Sequence, residues 1–222
     1  MDKAIKEIID TLAETRPFFH LEADFQIALA NSIKEWIGKK APRSEAKIYL
    51  EKKIGPKGNS MSVDIVVKLN SKEYFIEVKY ATKEKEPEQA RGLRDKENFA
   101  NVIQYVAKST APNLNRYGFW KDVHRLEGIV NGEGRIGYAI FLTTDPLYWD
   151  EDDWKRHSDV NFKMCKQREK VSAGVELVWT GKNPKDSIII KNEYALSQNW
   201  HPYGKIGQYL LLQIPPGKKT ST

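Results

Sequence analysis

The stretch MSVDIVVKLNSKEYFIEVKY, residues 61–80, decides how this chain is built. It consists of two apolar runs rich in Val, Ile, Tyr and Phe, broken by the short polar pair Asn70-Ser71, which is the pattern of two strands joined by a tight turn. With Asn70 and Ser71 as the turn, Leu69 faces Lys72, and the register then runs back along both strands. Val63–Val78, Ile65–Ile76 and Val67–Tyr74 share one face. Ser62–Lys79, Asp64–Glu77 and Val66–Phe75 share the other. The register therefore sets Asp64 directly opposite Glu77, and Lys79 on the same face as Glu77, because strand side chains alternate with period two.

Directly opposed carboxylates repel unless a cation lies between them. Paired hard oxygen ligands are how Mg²⁺ is commonly held. A solvated strand face is the plainer alternative, since surface Asp, Glu and Lys need no explanation. The triplet Glu-x-Lys also occurs at Glu45-Ala46-Lys47 and Glu51-Lys52-Lys53, with an Asp-x-Lys at Asp153-Trp154-Lys155. Only the triplet at 77–79 lies inside an apolar strand that follows a second apolar strand with an aligned Asp.

Working outward, LEADFQIALANSIKEWI, residues 21–37, has helical period. Leu21, Phe25, Ala28, Leu29, Ile33 and Trp36 form one stripe, with Glu22 inside it and Gln26 at its edge, one turn on. A carboxylate in a buried sector is costly unless paired or bound to metal. An acid in the first helical turn also favours the helix dipole, so Glu22 has two readings.

Asp64, Glu77 and Lys79, in their apolar strands, resemble the PD-(D/E)xK nuclease superfamily. Val63 stands where the name-giving Pro would be. The resemblance covers roughly the first two-thirds of the chain. It implies a restriction-endonuclease-like α/β fold, a mixed β-sheet flanked by helices. It further implies a metal-dependent nuclease that hydrolyses phosphodiester bonds, with DNA the expected substrate. Asp64, Glu77 and Lys79 would be its catalytic residues, completed by Glu22 as the acid on the helix before the sheet. Asp64, Glu77, Glu22 and the carbonyl of Val78 would hold Mg²⁺, with Mn²⁺ as a possible substitute, and Gln26 would support Glu22 or touch substrate. A catalytically inactive nuclease-fold protein that binds nucleic acid or protein is the alternative.

At 222 residues the chain suits one domain with a sizeable core. We place the nuclease-like core at about 17–145, expect strands over 171–214 to complete the sheet, and expect a flexible tail at 215–222. Thirty-six Lys and Arg against thirty Asp and Glu give a formal charge of +6, which favours an anionic partner. Arg91, Arg94, Lys121 and Arg125 are the candidate nucleic-acid contacts, with Lys83 and Lys85 near the first pair. A homodimer would suit paired cleavage of a duplex. No apolar run is long enough to span a bilayer, MDKAIKEIID reads as an amphipathic helix, and a cytoplasmic location is expected. The single Cys165 excludes an internal disulfide.

The remaining elements follow from periodicity and breakers. Helices are expected near 2–15, 98–109 and 114–130, and strands near 46–54, 135–144, 175–180, 187–191 and 207–214. A crossover between residues 81 and 134 would make the strands at 73–80 and 135–144 parallel neighbours. Gly132-Glu-Gly-Arg-Ile-Gly137 matches G-x-G-x-x-G in letters, but it follows a helix and opens a strand, the reverse of a dinucleotide site, and so reads as a turn.

Overall fold

Alternation and turn chemistry along the chain produce a mixed α/β structure with one six-stranded sheet. A computed structural model describes residues 4–56, 60–82, 111–151, 158–181, 186–205 and 207–216. Helices α1 (Ala4–Thr15) and α2 (Glu22–Lys40) precede strands β1 (Ala46–Ile54), β2 (Met61–Leu69) and β3 (Lys72–Ala81). Helix α3 (Pro112–Ile129) leads into β4 (Arg135–Thr143). The C-terminal third carries β5 (Lys170–Val171), β6 (Glu176–Leu177), β7 (Ile188–Ile189), β8 (Tyr194–Ala195), β9 (Trp200–Tyr203) and β10 (Gly207–Ile214). The order in the main sheet is β1-β2-β3-β4-β10-β9. Only β3 and β4 run parallel, as the crossover between them requires, and the other neighbours are antiparallel.

The sheet is covered on both faces. One face packs under α1 and α2, with Ile65, Val67, Tyr74, Ile76, Val78 and Tyr138 meeting Ile9, Phe25, Leu29 and Ile33. The other face carries Val66, Phe75 and Phe141 against Phe119, Trp120, Val123 and Leu126 of α3, and extends into the C-terminal third. Burial on both faces explains why β4 is almost continuously apolar: eight of the nine residues of Arg135–Thr143 are buried.

The expected β2–β3 register is present from Leu69–Lys72 to Ile65–Ile76. Asn70 takes the left-handed conformation, φ +53°, that a tight turn asks of its first residue. The pairing does not continue through Asp64–Glu77, Val63–Val78 and Ser62–Lys79, because the two strands part after Ile65. Val63 joins the core on the α3 face rather than siding with Ile65 and Val67. Strand β1 is irregular at the same level. Leu50 pairs with Ile65 and Lys52 with Val63. Between them Glu51 has φ +49°.

Other expectations need correction. Leu21 is 62 % exposed, because it precedes α2 in extended conformation as its N-cap and the helical wheel does not apply to it. Helix α2 runs through Gly38 to Lys40 and stops ahead of Pro42, which disfavours helix in the residue before it. The strands expected over 171–214 do not all complete the sheet. Only β9 and β10 join it, while β5 pairs with β8 and β6 with β7 as separate two-residue ribbons. The helix expected at 98–109 lies outside the described residues. No described helix is long and apolar enough to cross a membrane.

Candidate active site

Where β2 leaves β3, the backbone of β3 loses its ladder partners on that side. N–H groups of Val78 and Tyr80 face the gap, and a buried N–H left unpaired is costly. Two carboxylates take the place of the missing strand. The N–H of Val78 donates to Oδ2 of Asp64 at 2.8 Å, and the N–H of Tyr80 donates to Oε2 of Glu22 at 3.0 Å. Since a strand residue directs its N–H and C=O to the same side, the carbonyl of Val78 shares that gap. Asp64 and Glu22 are thus fixed by the backbone they satisfy.

Gln26 is 7 % exposed and holds the distorted strands in place. Its amide nitrogen, with two hydrogens to give, donates to the backbone carbonyl of Asp64 at 2.7 Å and to Oε1 of Glu51 at 2.8 Å. The other Glu51 oxygen accepts from the hydroxyl of Ser62 at 2.9 Å. The left-handed backbone at Glu51 therefore comes with a carboxylate tied at both oxygens.

On the opposite side of the gap lie Glu77 and Lys79 of β3 and the α3 residues Asp122 and Arg125. Gly118, one turn before Asp122, lies beside Lys79, whose Cε is 3.8 Å from where a Cβ would stand, an ordinary contact distance. The ammonium of Lys79 sits between two acids, 3.3 Å from Oε1 of Glu22 and 3.2 Å from Oδ2 of Asp122. Arg125 reaches Oε1 of Glu77 at 2.5 Å and Oδ1 of Asp122 at 3.0 Å. Three buried atoms in this cluster have no well-directed hydrogen bond: Glu77 Oε1, Asp122 Oδ2 and Arg125 Nε.

Four acids therefore surround two bases. Burial, reinforced by the neighbouring Asp64 and Asp122, pushes the Glu77 carboxyl up to about 9. Glu22 and Asp122 are also raised, in each case by burial that outweighs the cation beside them. Burial alone would lower Lys79, but Asp122 and Glu22 outweigh it and hold the ammonium above its ordinary range. The same balance, with Glu77 and Asp122 as the acids, raises Arg125.

The structure brings together Asp64, Glu77, Lys79, Glu22 and Gln26, five of the residues singled out from sequence. It turns Glu22 towards Lys79 and the Tyr80 N–H, so both oxygens of that carboxylate are engaged. Arg125 lies on Glu77, whereas Lys121 is exposed. Arg91 and Arg94, with Lys83 and Lys85, lie outside the described residues. Sequence reasoning missed Asp122 and Glu51. Asp122 did carry a signal, the same one that marked Glu22: it falls at i+3 from Phe119 and i−4 from Leu126, within the apolar stripe of α3.

Among the described residues, no group of three or more Asp, Glu, His or Cys side chains converges as a metal site. Asp64 lies near enough to Glu77 to help raise its carboxyl, and the Val78 carbonyl shares the gap with them. One or two carboxylates with retained waters is the ordinary requirement of Mg²⁺, and the buried Glu77 Oε1 lacks a directed hydrogen bond. Asp64, Glu77 and the Val78 carbonyl are the oxygen donors that this gap would offer such an ion. No family model matches this chain, and no curated protein or solved structure matches it either.

Proposed function

We propose that this chain is a metal-dependent nuclease that hydrolyses phosphodiester bonds, with DNA as its substrate, on a restriction-endonuclease-like fold. The observation that carries this reading is the parting of β2 from β3 at Asp64, which gathers Asp64, Glu77 and Lys79 around one gap. The strand order supports it too, with an antiparallel hairpin followed through α3 by a parallel strand. Asp64, Glu77 and the carbonyl of Val78 would hold Mg²⁺ or Mn²⁺. Such an ion supplies a bound water of lowered pKa and a counter-charge for the phosphoryl oxygens.

The chain's own groups do the remaining work. Asp64 is held to the Val78 N–H, which fixes where its free oxygen points. Lys79 keeps its proton between Glu22 and Asp122 and can donate to an attacking water or to an oxygen that gains negative charge. Glu22 is then a positioning residue for Lys79 as well as the partner of the Tyr80 N–H. The test is nicking of supercoiled plasmid with Mg²⁺ or Mn²⁺ by wild type, Asp64→Asn and Lys79→Ala. Each substitution should lower the rate by about a hundredfold or more. Equal activity in all three forms would rule the assignment out.

A second reading has its own support, the contact of Arg125 with Glu77. An ion pair at that carboxylate gives a nuclease-fold protein that binds nucleic acid or another protein without cleavage. Such a protein binds its partner without divalent ions and with unchanged affinity in Asp64→Asn.

A further inference from the structure

Arg125 occupies the side of Glu77 that a cation would use, and its contacts there are poor for a permanent structural pair. Its guanidinium touches Glu77 Oε1 and Asp122 Oδ1. Yet its own Nε and the Glu77 oxygen it touches are both buried without a directed hydrogen bond. A buried Arg–carboxylate pair kept for stability is normally bidentate, whereas Arg125 makes both of its contacts through NH2 alone. Arg116 also leaves its Nε without a directed hydrogen bond, but it spreads its contacts over two nitrogens. Arg116 on the same helix uses NH1 on Asp159 at 2.8 Å and NH2 on the Leu147 carbonyl at 2.6 Å. Arg125 is also 30 % exposed, against 4 % for Arg116, so it has space to move. Asp122, one turn earlier, gives it a second anchor on its own helix.

Resting on the nuclease reading, we propose that Arg125 is a placeholder cation, which a divalent metal ion displaces from Glu77 while Asp122 retains it. The guanidinium offsets part of the charge of the clustered acids and ties Glu77 Oε1 to Asp122 Oδ1. When the ion arrives, the contact between Arg125 and Glu77 breaks and the carboxylate turns to the metal. Arg125 is thus a competitor of the metal built into α3, and it sets the concentration at which the site loads.

The experiment uses Mn²⁺ alone as the probe, with binding measured by electron paramagnetic resonance on the full chain at pH 8. Wild type, Arg125→Met, Arg125→Gln and Asp64→Asn are compared, each checked for folding by circular dichroism. Both Arg125 variants should bind Mn²⁺ at least about tenfold tighter than wild type, and the gain should persist in about 0.5 M KCl. A contact competitor is little screened by salt, whereas a distant charge is screened within a few ångströms. Unchanged or weaker binding in the neutral Arg125 variants, with wild-type binding lost in Asp64→Asn, overturns the placeholder and leaves the metal site standing. A gain that vanishes in high salt overturns it equally. No Mn²⁺ binding by any form overturns the nuclease reading and the placeholder with it. Should Arg125→Met not fold, Arg125→Gln decides alone.

Discussion

At the scale of single residues, Glu77 governs the behaviour of the site. Its carboxyl ordinarily titrates near 4.5 and is pushed up to about 9 here, chiefly by burial. Between those values the unfolded chain has lost a proton that the folded chain keeps. Stability from this group is therefore complete below about pH 4.5 and is lost as pH rises towards about 9. Glu77→Gln keeps the shape and removes the titration. With no divalent ion added, the two proteins should melt at similar temperatures near pH 4.5, and the variant should melt higher as pH approaches 9. Scanning calorimetry across that range checks it, and parallel curves would refute it. Gln26 makes a second residue-scale prediction. Gln26→Leu fills the same space but strips a donor from the Asp64 carbonyl and from Glu51. Glu51 is exposed and can turn to water, but the carbonyl of half-buried Asp64 loses its donor. An unpaired buried acceptor costs about 1–3 kcal/mol, so urea unfolding should show a loss near the lower end of that range.

At the scale of elements, the glycines of the run 132–137 serve the packing of α3 on the sheet, the helix that carries Asp122 and Arg125. Gly134 turns the chain at φ +76°. Gly137 opens the helix–sheet contact: an added Cβ there would stand 3.0 Å from Ile214 Cβ, 3.2 Å from Val130 Cγ1 and 3.5 Å from Leu126 Cβ. These neighbours belong to β10 and to the end of α3, so none can yield alone. Gly137→Val should cost about 1–3 kcal/mol through overpacking, measured by urea denaturation, whereas wild-type stability would mean that α3 can lift off freely. Legibility follows the same physics. Strands at 61–69 and 207–214 were readable because long runs buried on one or both faces leave a period-two or continuous apolar signal. The strand at 46–54, an edge strand with no fully buried residue, was instead marked by the Gly-Pro-Lys-Gly-Asn break that follows it. The hairpin register was readable as far as Ile65–Ile76 because a two-residue turn fixes it. The break at Asp64 was not, since it depends on carboxylates from β2 and α2 replacing backbone partners across the chain. Two-residue ribbons such as Lys170–Val171 with Tyr194–Ala195 are too short to leave any periodicity. Glu22 could be found by its place on a wheel; Asp122 could have been found by the same device.

At the scale of the whole molecule, the C-terminal third is fastened to α3 through charge as well as through its apolar core. Arg116 binds Asp159 at 2.8 Å and Glu151 at 3.2 Å, and Lys163 binds Glu151 at 2.5 Å. These four side chains are between 2 % and 10 % exposed, and their charges balance, two against two. A buried network of this kind adds little over apolar packing when whole, yet it is costly to halve. The two buried acids left behind share one cation, Lys163, at 2.5 Å from Glu151 and 3.7 Å from Asp159. Arg116→Met should therefore destabilise by about 3–5 kcal/mol. Removing the stranded acid as well, in Arg116→Met with Asp159→Leu, should recover a large part of that loss, since no charge then remains unmatched between those two positions. Urea unfolding of wild type, both single variants and the double variant closes the cycle, and the coupling should exceed the few tenths of a kcal/mol, about 0.3–0.5, expected of independent sites. Additive losses would mean that the C-terminal third is held on α3 by Phe162, Trp179 and their neighbours alone. Coupling would make the charged cluster a clasp that keeps α3, and with it Asp122 and Arg125, at a fixed height above Glu77 and Lys79.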